Sequence, residues 1–312
     1  MITRFVHRVT VSLALAAVFI IQAAARDISS QPQTTFKSTV DVVTIQASVR
    51  DHKGRVLTGL TPTDFEVRDN GQLRPILSLR SDRQSPISIA LLVDMSGSMR
   101  LESKAALARQ SYASILSQLR DGQDEVAVFT FDSSLHERRG FTRDLSTLKG
   151  ALDTFDAFGT TSLYDATAEA ARRLAERSAA LKAIIVLTDG IDTSSSMTAT
   201  EVSGLASSID VPVFMVATVP SIDQRIMMET AERSTSSDAA DLRDLSEWTG
   251  GQFVFASTLL ESVVSSSKLI DELRQQYILA IEAAAGREWR RLDVRVRRPA
   301  ATVKARSGYF AG

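Results

Sequence analysis

The sequence has no cysteine and only three histidines among its 312 residues. The absence of cysteine excludes disulfides, thiolate zinc sites and cysteine nucleophiles. Only His52 and His136 lie beyond the first 25 residues, so chemistry that needs histidine is nearly excluded as well. Stability must therefore come from a hydrophobic core, and a hydrophobic content of 44% is enough to build one.

A strong excess of charge is also absent. The formal net charge is −1, and it becomes −3 if Arg4 and Arg8 are removed with the first 25 residues. Proteins that bind nucleic acid through its phosphates usually carry a basic patch or stripe. We therefore expect no nucleic-acid partner.

The chain begins with the three parts of a secretory signal peptide. A short basic start precedes an apolar stretch at residues 9–21, and small residues follow up to Ala25. This pattern predicts a signal peptide at residues 1–25, followed by a flexible leader at 26–36. The apolar stretch is short for a membrane span, so an uncleaved anchor is the less favoured alternative, and no transmembrane span is expected after cleavage. The mature protein is predicted to lie in the periplasm, in the cell envelope or outside the cell.

Alternating apolar residues predict β-strands in residues 37–85 and again in residues 277–312. Asn70-Gly71 lies between two short strand patterns and indicates a tight hairpin. Each segment is too short to hold a hydrophobic core alone. We therefore predict that the two segments pair and form one small antiparallel β domain.

Residues 86–276 show a different pattern, in which strands alternate with helices. Five nearly continuous apolar runs are typical of strands buried on both faces, and amphipathic segments separate them. The first helix carries an apolar stripe with Ala108, Tyr112 and Ile115, and Gly122 is expected to end it. The alternation predicts a doubly wound, mostly parallel α/β sheet that is inserted in the antiparallel β domain.

Five arginines crowd the segment from Arg290 to Arg298. One interpretation is an anion-binding patch. We favour solvated strand faces, because charged strand edges resist aggregation.

Oxygen-bearing side chains follow three of the predicted strands. Asp94, Ser96 and Ser98 come directly after the first apolar run, and alternate residues of an extended chain point the same way. The segment Thr160–Ser162 precedes a helix, and Asp189 ends another buried run. In a doubly wound sheet, ligands bind outside the carboxyl ends of the strands. Carboxylate and hydroxyl oxygens without nitrogen or sulfur suit Mg²⁺, with Mn²⁺ or Ca²⁺ as alternatives.

Each of these features alone also has an ordinary structural explanation. Asp94 could cap a loop, and Thr161 or Ser162 could cap the helix that follows. Asp189-Gly190 could be a plain turn. Only their combination, in order and on the expected elements, predicts a metal site.

The three loops resemble the metal-ion-dependent adhesion site of von Willebrand factor type A domains. The pattern Asp94-Met95-Ser96-Gly97-Ser98 matches the first loop of that family, Gly159-Thr160-Thr161 the second, and Asp189-Gly190 the third. The likeness extends over residues 86 to about 276. The flanking VRDHKGRVLTGLTPTDFEVRDNGQ and the terminal ARSGYF also resemble exported bacterial proteins that are related to this family.

The resemblance implies a role for each residue of the site. Ser96, Ser98 and Thr161 would ligate a cation through their hydroxyls, and Asp94 and Asp189 would contact it directly or through water. The family usually has a second glycine where Thr160 stands, which leaves Thr160 as a rival to Thr161.

The leading interpretation is a non-enzymatic binding protein in which an Asp or Glu of a protein partner completes the coordination of the metal. The rim residues expected to shape selectivity are Met95, Arg100, Tyr164 and Asp192.

One alternative is a metal-dependent hydrolase or phosphotransferase. It is disfavoured because Ser96 stands where phosphoaspartate enzymes usually carry a second acid. Another alternative is a structural envelope protein with a purely stabilising metal. The sequence does not indicate an oligomeric state.

Overall fold

The computed structural model describes residues 41–311, apart from residues 82, 155, 191 and 226–237. The predicted signal peptide and leader lie outside the described residues. Those residues all fall within one compact unit of the chain, Val40–Gly312, so the predicted boundaries after residues 85 and 276 stay predictions. No helix in the described part of the chain has both the length and the apolar character that a membrane crossing requires.

Strands and α-helices alternate through the middle of the described residues, whereas residues 41–80 and 277–311 contain strands and one short 3-10 helix, Pro62–Asp64. The strands are β1 Val42–Arg50, β2 Phe65–Asp69, β3 Gln72–Arg74, β4 Ile76–Arg80, β5 Ile87–Asp94, β6 Glu125–Phe131, β7 Leu135–Thr142, β8 Leu181–Thr188, β9 Val213–Ala217, β10 Phe253–Phe255, β11 Tyr277–Glu282, β12 Trp289–Val296, β13 Thr302–Ala305 and β14 Gly308–Phe310. The helices are α1 Glu102–Gln118, α2 Leu163–Ala175, α3 Ala199–Ser208, α4 Asp238–Trp248 and α5 Leu259–Arg274.

The central sheet has the strand order β10-β9-β8-β5-β6-β7. All its neighbouring strands run parallel except β7, which is an antiparallel edge strand. Every residue of β5 is buried, as expected for a strand that helices cover on both faces. Helices α1 and α5 contribute to the core on one face, and α2, α3 and α4 contribute to the core on the other. This arrangement confirms the predicted doubly wound sheet.

Helix α1 buries the predicted apolar stripe but ends earlier than the sequence predicts. Its stripe Ala108, Tyr112 and Ile115 is buried against the sheet, as the 3.6-residue spacing predicts. The helix ends at Gln118, one turn earlier than predicted. Gly122 lies in the turn that follows, where its φ of +73° favours glycine over other residues.

Two four-stranded antiparallel sheets form the rest of the described unit, with the orders β13-β1-β11-β4 and β14-β12-β2-β3. Each sheet combines strands from both ends of the chain, since β1 pairs with β11 and β2 pairs with β12. Their inner faces share a third core, around Ile45, Val67 and Leu279. The prediction that the two end segments pair into antiparallel β-structure is therefore confirmed.

The arginines near the end of the chain do not all behave as predicted. Four of them are exposed, but Arg290 is buried, which makes the prediction of a solvated face wrong at that position. Its Nε donates to Oδ1 of the buried Asp69 at 2.7 Å. The Tyr309 hydroxyl donates to Oδ2 of the same carboxylate at 3.2 Å. Asp69 thus offsets the cost of burying a charge on β12.

Arg306, between β13 and β14, ties the antiparallel sheets to the α/β part. Its guanidinium donates to the carbonyl oxygens of Ser207, in α3, and Thr44, in β1. Its Nε lies 3.3 Å from Asp210 Oδ1, an ion pair in which both side chains are largely buried. The backbone N–H of Gln46 also donates to Asp210 Oδ1. One side chain therefore connects the end of a helix, the loop that follows it and an inner strand of the antiparallel sheet.

We expect Arg306→Met to lower the free energy of unfolding by about 3–5 kcal/mol, because Asp210 would be left buried without its counter-charge. Urea denaturation followed by circular dichroism measures this change. Arg295→Met is the matched control, because the Arg295–Asp293 pair is exposed and its loss should cost no more than about 1 kcal/mol. Equal effects of the two substitutions would contradict the structural role of Arg306.

Candidate functional site

The candidate site lies at the carboxyl ends of β5 and β8, which pair in parallel in the middle of the sheet. From β5 the chain continues to β6 on one side, whereas β8 lies on the other side. Strand order thus reverses here, and in doubly wound sheets this is the place where ligands usually bind. Asp94 is the last residue of β5, and Asp189 directly follows β8.

The first loop is a tight turn that is built around Asp94. The buried Asp94 carboxylate accepts a hydrogen bond from the backbone N–H of Ser96 through Oδ1, at 2.8 Å. The hydroxyls of Ser96 and Ser98 are 3.0 Å apart. Ser96 is buried and Ser98 is exposed, so the hydroxyl pair leads from the end of the strand to the surface. The two hydroxyls lie together although Ser98 belongs to a short 3-10 helix, Gly97–Arg100, and not to the extended chain on which the predicted alternation relied.

Thr188 connects the two strand ends. Its hydroxyl donates to Asp94 Oδ2 at 2.6 Å and accepts from the backbone N–H of Gly190 at 3.0 Å. The latter bond turns the chain directly after Asp189, and the Gly190 φ of +92° explains the glycine. Burial raises the pKa of Asp94 to about 6, against the hydrogen bonds from Ser96 and Thr188. The negative charge of Asp189 raises this pKa further, so the two acids repel each other.

Asp189 has one satisfied and one unsatisfied oxygen. Its side chain is buried, and its Oδ2 lies 2.9 Å from the Lys104 ammonium in α1. Its Oδ1 is buried and has no hydrogen-bond partner. It is one of eight buried side-chain polar atoms without a partner in the described residues, and the only carboxylate oxygen among them. An unpartnered buried carboxylate oxygen is the kind of atom that a bound cation or water satisfies. Sequence reasoning missed Lys104, whose only signal was its position in the first turn of the helix after the first loop.

The second loop is pressed against the first. Gly97 N–H donates to Gly159 O at 3.0 Å, and Phe158 N–H donates to Met95 O at 2.7 Å. A side chain at Gly97 would bring its Cβ to 3.3 Å from Gly159 O, so the close approach of the two backbones favours glycine there. The contact brings the segment that carries Thr161 to the first loop.

Of the two threonines that the sequence left as rivals, Thr161 is buried and Thr160 is exposed. The Thr160 hydroxyl accepts a hydrogen bond from Ser194 at 3.0 Å. The backbone of Thr161 is bound on both sides by the third loop. Its N–H donates to the Thr193 hydroxyl, and its carbonyl accepts from the N–H groups of Thr193 and Ser194. These two loop residues, which sequence reasoning also missed, hold Thr161 in place.

The rim of the site differs from the predicted one. Met95, at 4% exposure, belongs to the hydrophobic core, and Tyr164 is also buried, so neither is an exposed residue of the rim. Asp192 is half-buried and accepts hydrogen bonds from the backbone N–H and the hydroxyl of Ser195. The Ser195 hydroxyl in turn accepts a hydrogen bond from the backbone N–H of Asp165 in the first turn of α2. Of the four predicted rim residues, Arg100 alone is exposed.

Arg100 shares the surface with an aromatic residue that sequence reasoning missed. Its Nε donates to Ala157 O at 2.9 Å, and its guanidinium lies 5.3 Å from the centroid of the Phe158 ring. Phe158 is 70% exposed, which is unusual for so large an apolar side chain. Arg100 and Phe158 are called the rim pair below.

The side chains at the strand ends could hold a hard cation. In the part of the chain that the structure describes, no cluster of three or more His, Cys, Asp or Glu side chains could hold a metal. A cation here would instead rely on two carboxylates supplemented by hydroxyl oxygens. The donors fit Mg²⁺, Mn²⁺ or Ca²⁺, because all are oxygens and the buried Asp189 Oδ1 lacks a partner. The residues that could provide them are Asp94, Ser96, Ser98, Thr161 and Asp189.

Three solved structures illustrate what the chain is similar to. The von Willebrand factor type A protein from Catenulispora acidiphila is 14% identical, with 88% of this chain and 75% of that chain covered and a TM-score of 0.48. The conserved hypothetical protein BatB from Bacteroides thetaiotaomicron is 16% identical, with coverages of 60% and 98% and a TM-score of 0.48. The PilB minor pilin from Streptococcus sanguinis is 14% identical, with a TM-score of 0.46, and 62% of each chain is covered, less than two thirds of the pilin. At this level of similarity none of the three bears on function.

No curated protein matches the chain. The family model described as von Willebrand factor type A domain matches residues 89–191, which include all five candidate ligands and Lys104. The matched region begins in β5 and ends just after β8, so it covers the two central strands whose ends form the site. Residues 89–191 are therefore similar to a von Willebrand factor type A domain.

Proposed function

We propose that this protein is a non-enzymatic binding protein that engages an acidic residue of a protein or peptide partner through a divalent cation. The cation would be held by Asp94, Ser96, Ser98, Thr161 and Asp189. The observation that carries the proposal is the buried, unpartnered Asp189 Oδ1 beside the buried Asp94 carboxylate. Two acids in such proximity are costly without a positive charge between them.

Some residues of the site would supply negative charge, and others would supply neutral oxygen ligands or an exposed side. Asp94 and Asp189 offset the charge of a divalent cation, while the hydroxyls add oxygen ligands without adding charge. Ser98 is the exposed member of the set, so a carboxylate of another molecule can approach at this side. A bound Mg²⁺ prefers six oxygens and would supply the positive charge that such a carboxylate recognises. Mn²⁺ and Ca²⁺ accept the same oxygen ligands.

A metal-dependent hydrolase or phosphotransferase is the second candidate. Such an enzyme needs a general acid or base within hydrogen-bond reach of the reacting group. The residue two positions after Asp94 is Ser96, which cannot act as a carboxylic acid. Lys104 forms an ion pair with Asp189. The site favours binding over turnover. Hydrolysis of generic phosphate or ester substrates that Asp94→Asn abolishes would reverse this preference.

The setting proposed for this function is the cell envelope or the extracellular space. The support is the signal-like pattern of residues 1–25. The partner is then another envelope or extracellular protein. A structural envelope protein whose metal only stabilises the fold is the remaining alternative, and it predicts metal binding without partner capture.

We expect Mg²⁺ to raise the thermal stability of the protein and Asp189→Ala to abolish this effect. An ion at 100 times its Kd stabilises a native state by about 2.7 kcal/mol. Thermal unfolding in Mg²⁺ and in EDTA measures the difference. Asp293→Ala, in the exposed part of β12, is the matched control and should keep the full response. If the melting temperature of the unmutated protein is the same in both solutions for Mg²⁺, Mn²⁺ and Ca²⁺, the metal site is wrong.

We expect capture of the partner from the native envelope to require both Mg²⁺ and Ser98. Ser98→Ala removes an exposed hydroxyl, so the fold should survive while a ligand is lost. Quantitative pull-down in Mg²⁺ and in EDTA measures the effect. Ser133→Ala, also on an exposed serine, should bind normally. Capture that is equal with and without EDTA would refute recognition through the metal, and metal binding without any capture would favour the structural alternative.

We expect the rim pair to contribute to partner affinity without affecting metal affinity. Truncating an aromatic or arginine anchor typically costs more than about 1 kcal/mol of binding free energy, a loss of roughly fivefold or more in Kd. Phe158→Ala and Arg100→Ala test this by titration of the captured partner and, separately, of Mg²⁺. Leu77→Ala on β4 is the control, because Leu77 is similarly exposed but lies outside the site. Unchanged partner affinity in both rim variants would exclude this surface from the interface.

A further inference from the structure

We propose that Lys104 is a built-in counter-cation, which competes with the divalent cation for Asp189 and thereby lowers the metal affinity of the site. The proposal rests on the function proposed above, since it concerns the same carboxylate. Its basis is the contact between the Lys104 ammonium and Asp189 Oδ2, at 2.9 Å. The Lys104 side chain is only 12% exposed, so the pair is shielded from solvent and is screened less than a surface ion pair.

Lys104 lies at the N-terminal end of α1, an unfavourable place for a positive charge. Lys104 is the third residue of α1, in the first turn, where the helix dipole disfavours a positive charge. A lysine there gains nothing from the helix itself. Asp189 is the partner that offsets this cost. The neighbouring Ala105 and Ala108 are buried, so they hold this part of the helix against the core. The Lys104 side chain extends from there to Asp189 at the end of β8.

The charges of the three groups explain the expected effect. Asp94 and Asp189 carry two negative charges when ionised, and Lys104 compensates one of them. A divalent cation that approaches the unpartnered Asp189 Oδ1 therefore meets a positive charge on the other oxygen of the same carboxylate. The Lys104 ammonium and a cation bound to the same carboxylate would repel each other strongly, because the site is buried and water screens the charges little. Either Lys104 leaves Asp189 or the cation binds against its repulsion, and both routes weaken metal binding.

The same lysine also stabilises the fold when no divalent cation compensates Asp189. Removing one member of a buried ion pair leaves an uncompensated charge, which is strongly destabilising. Lys104 would therefore let the chain fold first and bind a cation afterwards. Metal binding then becomes a reversible exchange of one positive charge for another, which responds to the concentration of the cation.

The test is to compare Mg²⁺ binding by isothermal titration calorimetry for unmutated protein, Lys104→Met and Lys104→Arg. Lys104→Met keeps the length of the side chain and removes its charge. It should bind Mg²⁺ at least about tenfold more tightly, a gain of about 1.4 kcal/mol. Lys104→Arg keeps the charge and should stay closer to the unmutated protein. Lys53→Met, on an exposed lysine of the turn after β1, controls for the change in net charge and should have no effect.

Thermal unfolding provides the second measurement. In EDTA, Lys104→Met should melt several degrees below the unmutated protein, and Mg²⁺ should raise its melting temperature by more than it raises that of the unmutated protein. If Lys104→Met is too unstable in EDTA to titrate, Lys104→Gln, which retains a hydrogen-bond donor, replaces it. A gain in affinity together with this larger metal-dependent shift supports the proposal.

Other outcomes overturn it. Equal Mg²⁺ affinity in Lys104→Met and unmutated protein would mean that Lys104 does not compete. Weaker binding in Lys104→Met would mean that Lys104 instead positions Asp189 for the cation. In both cases the unmutated protein still binds Mg²⁺, so the function proposed above survives. If neither protein binds Mg²⁺, Mn²⁺ or Ca²⁺, both proposals fail together.

Discussion

Asp94 and Asp189 are buried side by side at the ends of two strands that pair in the middle of the sheet. Burial and mutual repulsion both favour loss of the negative charge, as the raised pKa of Asp94 shows. The surrounding groups offset this cost in part. Thr188 and the backbone of Ser96 donate hydrogen bonds to one acid, and Lys104 pairs with the other. The first and third loops therefore supply the hydrogen bonds that the buried Asp94 carboxylate needs, and α1 supplies the counter-charge of Asp189.

The rest of the fold holds those loops at a fixed distance from each other. The second loop reaches the first through backbone hydrogen bonds at Gly97 and Gly159, and the third loop binds the backbone of Thr161. Farther away, Arg306 connects the antiparallel sheets to the end of α3. The loops of the site are therefore held by backbone hydrogen bonds between them and by side-chain hydrogen bonds at Asp94, Thr188 and Thr161.

Most of the fold could be predicted, because its signals are local. Continuous apolar runs predicted the buried parallel strands, and strict alternation predicted the antiparallel ones at both ends of the chain. Apart from the end of α1, the predictions that the structure contradicts concern single side chains. Met95 and Tyr164 were expected at the surface and are buried, and Arg290 was expected in solvent and pairs with Asp69. Burial of one residue depends on what packs against it, which neighbours in sequence do not reveal.

By itself, the sequence determined the order of the elements and the chemistry available at the strand ends, since both follow from residue types and their spacing. It predicted two acids and three hydroxyls near one edge of a sheet. Only the tertiary structure decided which threonine is buried, that Phe158 stands beside Arg100, and that Lys104 lies against Asp189. These are contacts between residues far apart in the chain. A side chain finds such a partner only after the strands have paired and the helices have packed on them.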